Sequence, residues 1–169
     1  MVRLAARTWG AILRAALVTL FVPALLTAAD NNACKLLTAT ELEPVVGGKL
    51  SAFKGESYSS ADVCTATSDN AKVLLRWFRG KKDSSPDAAA KGLEIVKKMG
   101  ATVDVKTFGP IVCSTIIPPK GQEFSGFSTT CSVSKAANVA AVAITVKARR
   151  DMVSIDKLHP LAEKMAGRF

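Results

Sequence analysis

The N-terminal segment constrains the fold most, because it decides how much chain remains to fold and in which compartment. It has a positively charged start, an apolar run over residues 15–26 broken only by Thr19 and Pro23, and the small residues Thr27, Ala28 and Ala29. This order is typical of a secretory signal peptide. We therefore predict that residues 1–29 are a cleaved signal, that the mature chain begins near Asp30, and that the protein is secreted or periplasmic.

Two other uses of this segment are possible, a membrane anchor and a lipid attachment site. A helix that spans a bilayer needs about 20 consecutive apolar residues, and this run is shorter and contains Pro23. A lipidated cysteine needs a small apolar box directly before it, whereas the polar residues Asp30, Asn31 and Asn32 and then Ala33 precede Cys34. We expect membrane contact to be peripheral at most after cleavage.

The remaining 30–169 segment has the size and composition of a single globular domain. It contains about 140 residues, enough for one hydrophobic core, and the whole chain is 49% hydrophobic and 22% charged. The signal carries three arginines and no acidic residue, so its removal lowers the net charge from +9 to +6. A basic surface favours polyanions in general, and we expect an anionic envelope component or another exported protein, not nucleic acid, as the partner.

The four cysteines are predicted to form two disulfides, because an oxidising compartment favours bridges over free thiols. No C-x-x-C pair occurs, which argues against a redox motif or a zinc ribbon. Four cysteines allow three pairings. Cys113 and Cys131 lie in two consecutive strand-like runs that a hairpin would place side by side, so we predict the bridges Cys113–Cys131 and Cys34–Cys64.

Hydrophobic periodicity predicts an α+β fold in which a largely antiparallel sheet of five to seven strands packs with about three helices. Helices are predicted over residues 36–46, from Pro86 to about 100, and over 154–167. Strands are predicted over residues 49–53, 61–67, 72–79, 102–106, 111–117, 127–133 and 139–147.

Local signals refine the ends of the helices. Thr38 or Thr40 followed three residues later by Glu41 or Glu43 predicts a capping box. Two prolines are awkward, because proline lacks the N–H that a helix interior uses. We expect the first helix to be short or to start at Thr40, and Pro160 to delay the last helix to His159.

The run Cys34-Lys-Leu-Leu-Thr-Ala-Thr-Glu-Leu, which leads to Val46-Gly47, is similar to the "C-x-L-L-T-x-x-E" opening of small exported bacterial proteins and lipoproteins of unknown function. The later cysteines follow the same order. The resemblance implies an exported α+β sandwich and no catalytic residues. The chain departs from the lipoprotein members because it lacks the attachment box.

Catalytic and cofactor signals are weak. His159 is the one histidine, no G-x-S-x-G elbow occurs, and the carboxylates are scattered. The stretch from Gly121 to Gly126 lacks the Gly-Lys-Ser/Thr ending of a phosphate-binding loop. We predict no cofactor, no metal and a non-catalytic binding module. The alternative is a small exported hydrolase of unfamiliar type.

One cluster is a candidate for anion or partner binding, because it interleaves cations with aromatic rings at a strand end. Its members are Arg76, Trp77, Phe78, Arg79, Lys81 and Lys82. The competing interpretation makes Trp77 a core residue and the charges a solvated turn. A second basic group, Lys147, Arg149 and Arg150, ends another strand and would lie near the first if the two strands are neighbours in the sheet.

Overall fold

The computed structural model describes residues 31–80 and 86–169, with the backbone alone for 86–90. The three α-helices are α1 (Ala39–Val46), α2 (Pro86–Lys98) and α3 (Ile155–Ala166). The seven strands are β1 (Lys54–Ser57), β2 (Ala61–Thr67), β3 (Ala71–Phe78), β4 (Thr102–Phe108), β5 (Ile111–Ile117), β6 (Phe127–Lys135) and β7 (Asn138–Val146).

All seven strands form one sheet in the order β1-β2-β3-β7-β6-β5-β4, and every neighbouring pair is antiparallel. The predicted fold class is confirmed. β7 returns to the centre of the sheet between β3 and β6, so the two halves of the chain meet along it.

The sheet has one buried face, and strand alternation defines it. Val73 and Leu75 of β3 are fully buried, while Lys72 and Arg76 on the opposite side of the strand are exposed. In register, Val73 lies opposite Ile144 of β7. Helix α3 covers this inner face through one apolar side, contributed by Ile155, Leu158, Leu161, Ala162 and Met165. The other face, the outer face, carries small and hydroxyl side chains over much of β6 and β7.

Both predicted disulfides are confirmed. Cys113 and Cys131 are directly opposite each other on β5 and β6, with their Cα atoms 4.0 Å apart. Cys34 lies in a single 3₁₀ turn, Ala33–Lys35, and bonds to Cys64 of β2. The first bridge closes a hairpin, whereas the second ties the start of the described chain to the sheet.

The 3₁₀ turn lies so close to the sheet edge that β1 needs a glycine beneath it. A Cβ atom on Gly55 would be 2.9 Å from Cβ of Asn31 and 3.1 Å from Sγ of Cys34. Asn31 is buried, and its amide donates to the carbonyl oxygens of Glu56 and Val63. Glycine therefore allows the N-terminal segment to pack onto β1 and β2.

The predicted strand over residues 49–53 is wrong, because this segment is an irregular connection that leads into β1. The N–H of Leu50 donates to the carboxylate of Glu43 at 3.1 Å, and Ser51 makes one backbone hydrogen bond to Thr67. A side chain of α1 thus takes a donor that a strand would have used in the sheet.

Both prolines are inside helices, each at the sixth helical position. Helix α1 begins at Ala39, where the predicted capping box is present and Glu41 accepts from the N–H of Thr38 as the box requires. The same carboxylate also accepts from the Thr38 hydroxyl. Helix α3 begins at Ile155, so the expected delay to His159 is wrong. Burial of Ile155 and Leu158 against the sheet outweighs the proline's cost in the first turns.

Helix α2 begins at Pro86, as predicted, whereas its predicted cap Ser85 lies outside the described residues. It packs against the edge strand β4 through its C-terminal half. Leu93 and Val96 are half-buried there, while Ile95 and Met99 remain exposed.

Candidate functional site

The predicted basic and aromatic cluster is divided between the two faces of the sheet. Arg76 is exposed on the outer face, whereas Trp77 is on the inner face, packed against the core opposite Asp62 of β2 and Ala140 of β7. Trp77 is partly buried and packs against the core, which favours the competing interpretation for this residue. Lys81 and Lys82 lie outside the described residues, and binding by the cluster stays a prediction.

Arg79 has a structural partner. Its guanidinium donates to the carboxylate of Asp62 at 2.9 Å and to the carbonyl oxygen of Tyr58 at 3.0 Å. Asp62 is 2% exposed and also accepts from the backbone and side chain of Asn32. Arg79 therefore neutralises a buried carboxylate that anchors the N-terminal segment.

The pKa of Asp62 reflects this network. Burial alone raises the pKa of the carboxyl group, but hydrogen bonds from Asn32 and Ser57 and the charge of Arg79 outweigh burial, and the pKa lies below its usual value. The ionised form is the one that the fold stabilises.

The second basic group is not near the first. β3 and β7 are neighbours, but they are antiparallel, so Val146 lies opposite Ala71 while Val139 lies opposite Phe78. Lys147 and the arginines after it are thus at the other end of the sheet, with Lys147 about 27 Å from Phe78 along the strand.

His159 has a packing role in the described structure. Its ring lies against Phe108 of β4 with the centroids 4.0 Å apart, and its Nε2 is 3.8 Å from Glu163 one turn later in α3. The contact with Phe108 joins α3 to the edge strand β4. His159 is not among the residues that line the open groove at the end of the sheet.

An open groove of about 380 Å³ lies at the end of the sheet where β2 turns into β3 and where β7 ends. One wall is the β2–β3 turn with the first residues of β3, and the other is the loop from Gly121 to Gly126. Among its lining residues are Thr67, Asn70, Lys72, Glu123, Phe124, Ser125, Thr145 and Lys147.

The sheet register brings the polar part of this groove together. Lys72 lies opposite Thr145 of β7 and Thr67 of β2, so the three side chains share the outer face at one level. Lys147 extends from the end of β7, where its ammonium group donates to the carbonyl oxygen of Asp69 at 3.1 Å. The floor of the groove therefore carries a cation and two hydroxyl groups, with a second cation at its end.

The apolar part of the groove is Phe124, which lies in a short 3₁₀ turn, Glu123–Ser125, and is 90% exposed. The turn ends at Gly126, whose φ is +83° and whose Cβ, if it had one, would be 2.6 Å from Cγ2 of Thr145. Gly126 thus allows the loop to lie tightly on β7. The pKa of Glu123 is lowered, chiefly by a hydrogen bond from its own backbone N–H and also by the one that its carboxylate accepts from the N–H of Gly121.

Sequence reasoning missed this groove, because its residues come from three separate segments. The one local signal was a phenylalanine in a polar loop between two glycines, at a stretch tested only as a phosphate-binding loop. Chemically, the groove presents two ammonium groups, several hydroxyl groups and an aromatic face, which suit contact with an anion that has an apolar part.

Within residues 31–80 and 86–169, no three histidine, cysteine or acidic side chains lie together as a metal site would need. None of the helices in this part of the chain is long and apolar enough to cross a membrane. In comparisons with known proteins, no family profile, curated protein or solved structure matches the chain.

Proposed function

We propose that this protein is an exported binding module, secreted or periplasmic, that acts by contacting an anionic surface, ligand or partner protein rather than by catalysis. The observation that carries the proposal is the groove between the β2–β3 turn and the Gly121–Gly126 loop. Its cations and exposed ring are groups that hold a ligand by charge and by contact with an apolar surface.

Export is supported by two features of the described chain. Two disulfides, Cys34–Cys64 and Cys113–Cys131, are consistent with an oxidising compartment. Asn31 is buried and hydrogen-bonded to the sheet, so the folded part extends to within one residue of the predicted cleavage point at Asp30. Cleavage there would leave this anchor intact.

Intact-mass measurement of exported protein tests this part of the proposal. We expect a chain that begins at or near Asp30 and is lighter by four hydrogens than the reduced form. Retention of residues 1–29, or a diacylglycerol group on Cys34, would contradict export as a soluble module.

The binding part is tested with a soluble polyanion. We expect the purified mature protein to be retained on immobilised heparin at low ionic strength and released by salt, since exposed charges are screened beyond about 10 Å at 0.1 M. Absence of retention at low ionic strength would overturn the proposal.

Two matched charge reversals compare the two ends of β3. Lys72→Glu alters the groove, and Arg76→Glu makes the same change in charge at an exposed position of the predicted cluster. We expect Lys72→Glu to elute at lower salt than Arg76→Glu. Arg79 is left unchanged in this test, because its replacement would leave the buried carboxylate of Asp62 without its cation.

A further inference from the structure

Exposed apolar side chains lie at the groove end of the sheet. Phe124 is 90% exposed, Met99 67% and Ile95 61%. Ile95 lies near the end of α2, and Met99 lies four residues later in the turn that follows the helix. The turn after α2 lies beside the segment that leads into the loop carrying Phe124, because a Cβ atom on Gly100 would be 3.6 Å from Pro119. The apolar groups thus belong to two adjoining segments.

Exposed cations belong to the same end. They are Lys72 and Lys147 in the groove, Lys98 at the end of α2, Lys120 before the Phe124 turn, and Arg149 and Arg150 after β7. The acidic residues of these segments are fewer, namely Asp69, Glu123 and Asp151, and Glu94 near the end of α2 is paired with Lys97. Among the described residues, the side chains of Lys72, Lys120 and Arg149 have no ion-pair partner, and this end has a net positive charge.

The opposite end of the sheet differs. Arg79 pairs with Asp62 there, and Lys135 donates to the backbone oxygen of Phe169 while it lies 6.0 Å from the centre of that ring. Arg79 and Lys135 are thus used within the fold. The groove end is the better candidate for contact with an external anionic surface.

Taking the proposed function as its basis, we propose that the groove end docks onto a bilayer surface rich in anionic lipids, with Phe124 inserted at the headgroup level. A soluble polyanion would satisfy the cations but would leave the ring and Met99 in water. A bilayer interface takes both, because apolar side chains enter the acyl boundary while the surrounding lysines and arginines meet anionic headgroups. The groove between them admits a headgroup next to Lys72.

Sedimentation with vesicles tests the proposal. The probes are vesicles of phosphatidylcholine alone and of phosphatidylcholine with 30% phosphatidylglycerol (about this fraction is enough for a strongly negative surface). We expect the mature wild-type protein to bind the anionic vesicles and to be released by salt. Phe124→Ala should weaken binding about tenfold, the loss expected when one large apolar side chain no longer leaves water.

Charge reversals complete the design. Lys72→Glu and Arg149→Glu should each weaken vesicle binding by about fivefold or more, whereas Arg76→Glu, away from this end, should change it by less than about twofold. Phe124→Trp should keep the affinity and show a blue-shifted emission on binding. Thermal unfolding of each variant establishes that it is folded, and Phe124 is exposed enough for its replacement to leave the core intact.

The results separate this inference from the proposed function. If the protein binds heparin but not the anionic vesicles, or if vesicle binding is unaffected by both Phe124→Ala and Lys72→Glu, membrane docking at this end is overturned while the binding module stands. If it binds neither heparin nor vesicles at low salt, both proposals fail. Loss of vesicle binding in Phe124→Ala with heparin retention unchanged would support insertion of the ring.

Discussion

The ion pair between Glu41 and Arg168 is expected to make stability depend on acid pH. Arg168 donates to both carboxylate oxygens of Glu41 at 2.7 and 2.8 Å and to the carbonyl oxygen of Leu36 at 2.8 Å, so the end of the chain is tied to α1. Chiefly through the hydrogen bonds from Arg168, and against the opposing effect of burial, the pKa of Glu41 is lowered from 4.5 to about 2. The perturbation is Glu41→Gln, which removes the charge but keeps an oxygen that can accept from Thr38.

The size of the effect follows from the pKa. A shift of this size corresponds to at most about 3 kcal/mol. Arg168 is 37% exposed, and solvent weakens exposed pairs, so we expect a loss of about 1–2 kcal/mol for Glu41→Gln at pH 7. Because the pKa is depressed in the folded state, this contribution is present above pH 4.5 and is lost as the pH falls from there towards 2.

Urea unfolding with the disulfides intact, followed by circular dichroism at pH 7, 4 and 2, measures the difference between wild type and variant. We expect that difference to shrink towards zero at pH 2. Glu94→Gln is the matched control, because Glu94 forms an exposed pair with Lys97, and it should change stability by less than about 0.5 kcal/mol at any pH. A difference for Glu41→Gln that is the same at pH 7 and pH 2 would refute the electrostatic explanation.

Three further substitutions test the packing and the bridges. Arg79→Ala should lower the free energy of unfolding by about 1–3 kcal/mol at pH 7, because it removes the cation beside buried Asp62, and urea titration that shows no change would contradict the ion pair's structural role. Thr129→Val should lower the free energy of unfolding by about 1–2 kcal/mol in the same assay, because the fully buried Thr129 hydroxyl donates to the carbonyl oxygen of Val153 at 2.5 Å. An unchanged free energy of unfolding would mean that water replaces the bond. Replacing Cys113 and Cys131 together with serine should cost about 3 kcal/mol, the value for opening a loop of this length, and equal melting temperatures with and without the bridge would contradict it.

The alternation of apolar and polar residues predicted most strands of the sheet. A local pattern is therefore enough to locate these strands in the sequence. The run from Ile111 to Ile117 has the bounds of β5, and the hairpin with the next strand placed Cys113 opposite Cys131. Period-two burial is a local property that each strand carries in its own residues, so it is readable without knowledge of the neighbours.

Helix starts could be predicted where a cap decides them but not where packing does. The Thr38 and Glu41 capping box is local and was readable from the spacing. Pro160 argued for a late start of α3, yet Ile155 and Leu158 are buried against the sheet and the helix includes them. The stabilisation comes from a surface that is distant in sequence, which local reasoning does not include.

The candidate sites also divide into features that a local sequence pattern predicts and features that depend on packing between distant residues. The residues from Arg76 to Lys82 looked like one cluster because they are adjacent in sequence, but alternation places Arg76 and Trp77 on opposite faces, and Arg79 pairs with a buried residue of the neighbouring strand. The alternation of faces along β3 can be predicted from the sequence. The burial of Asp62, which makes Arg79 its ion-pair partner, cannot.

The sequence by itself determined the export signal prediction, the α+β class and the pairing of the four cysteines, because each depends on composition, periodicity or neighbours along the chain. The tertiary structure alone decided the strand order, which places β7 between β3 and β6, and the antiparallel register of β3 and β7, which separates Lys147 from Arg76. It also assembled the groove, where Lys72 and Phe124 meet although they are 52 positions apart in the sequence. Such contacts arise from antiparallel register and from how far a loop can approach a strand, and these are set by packing across the whole sheet rather than by any local run of residues.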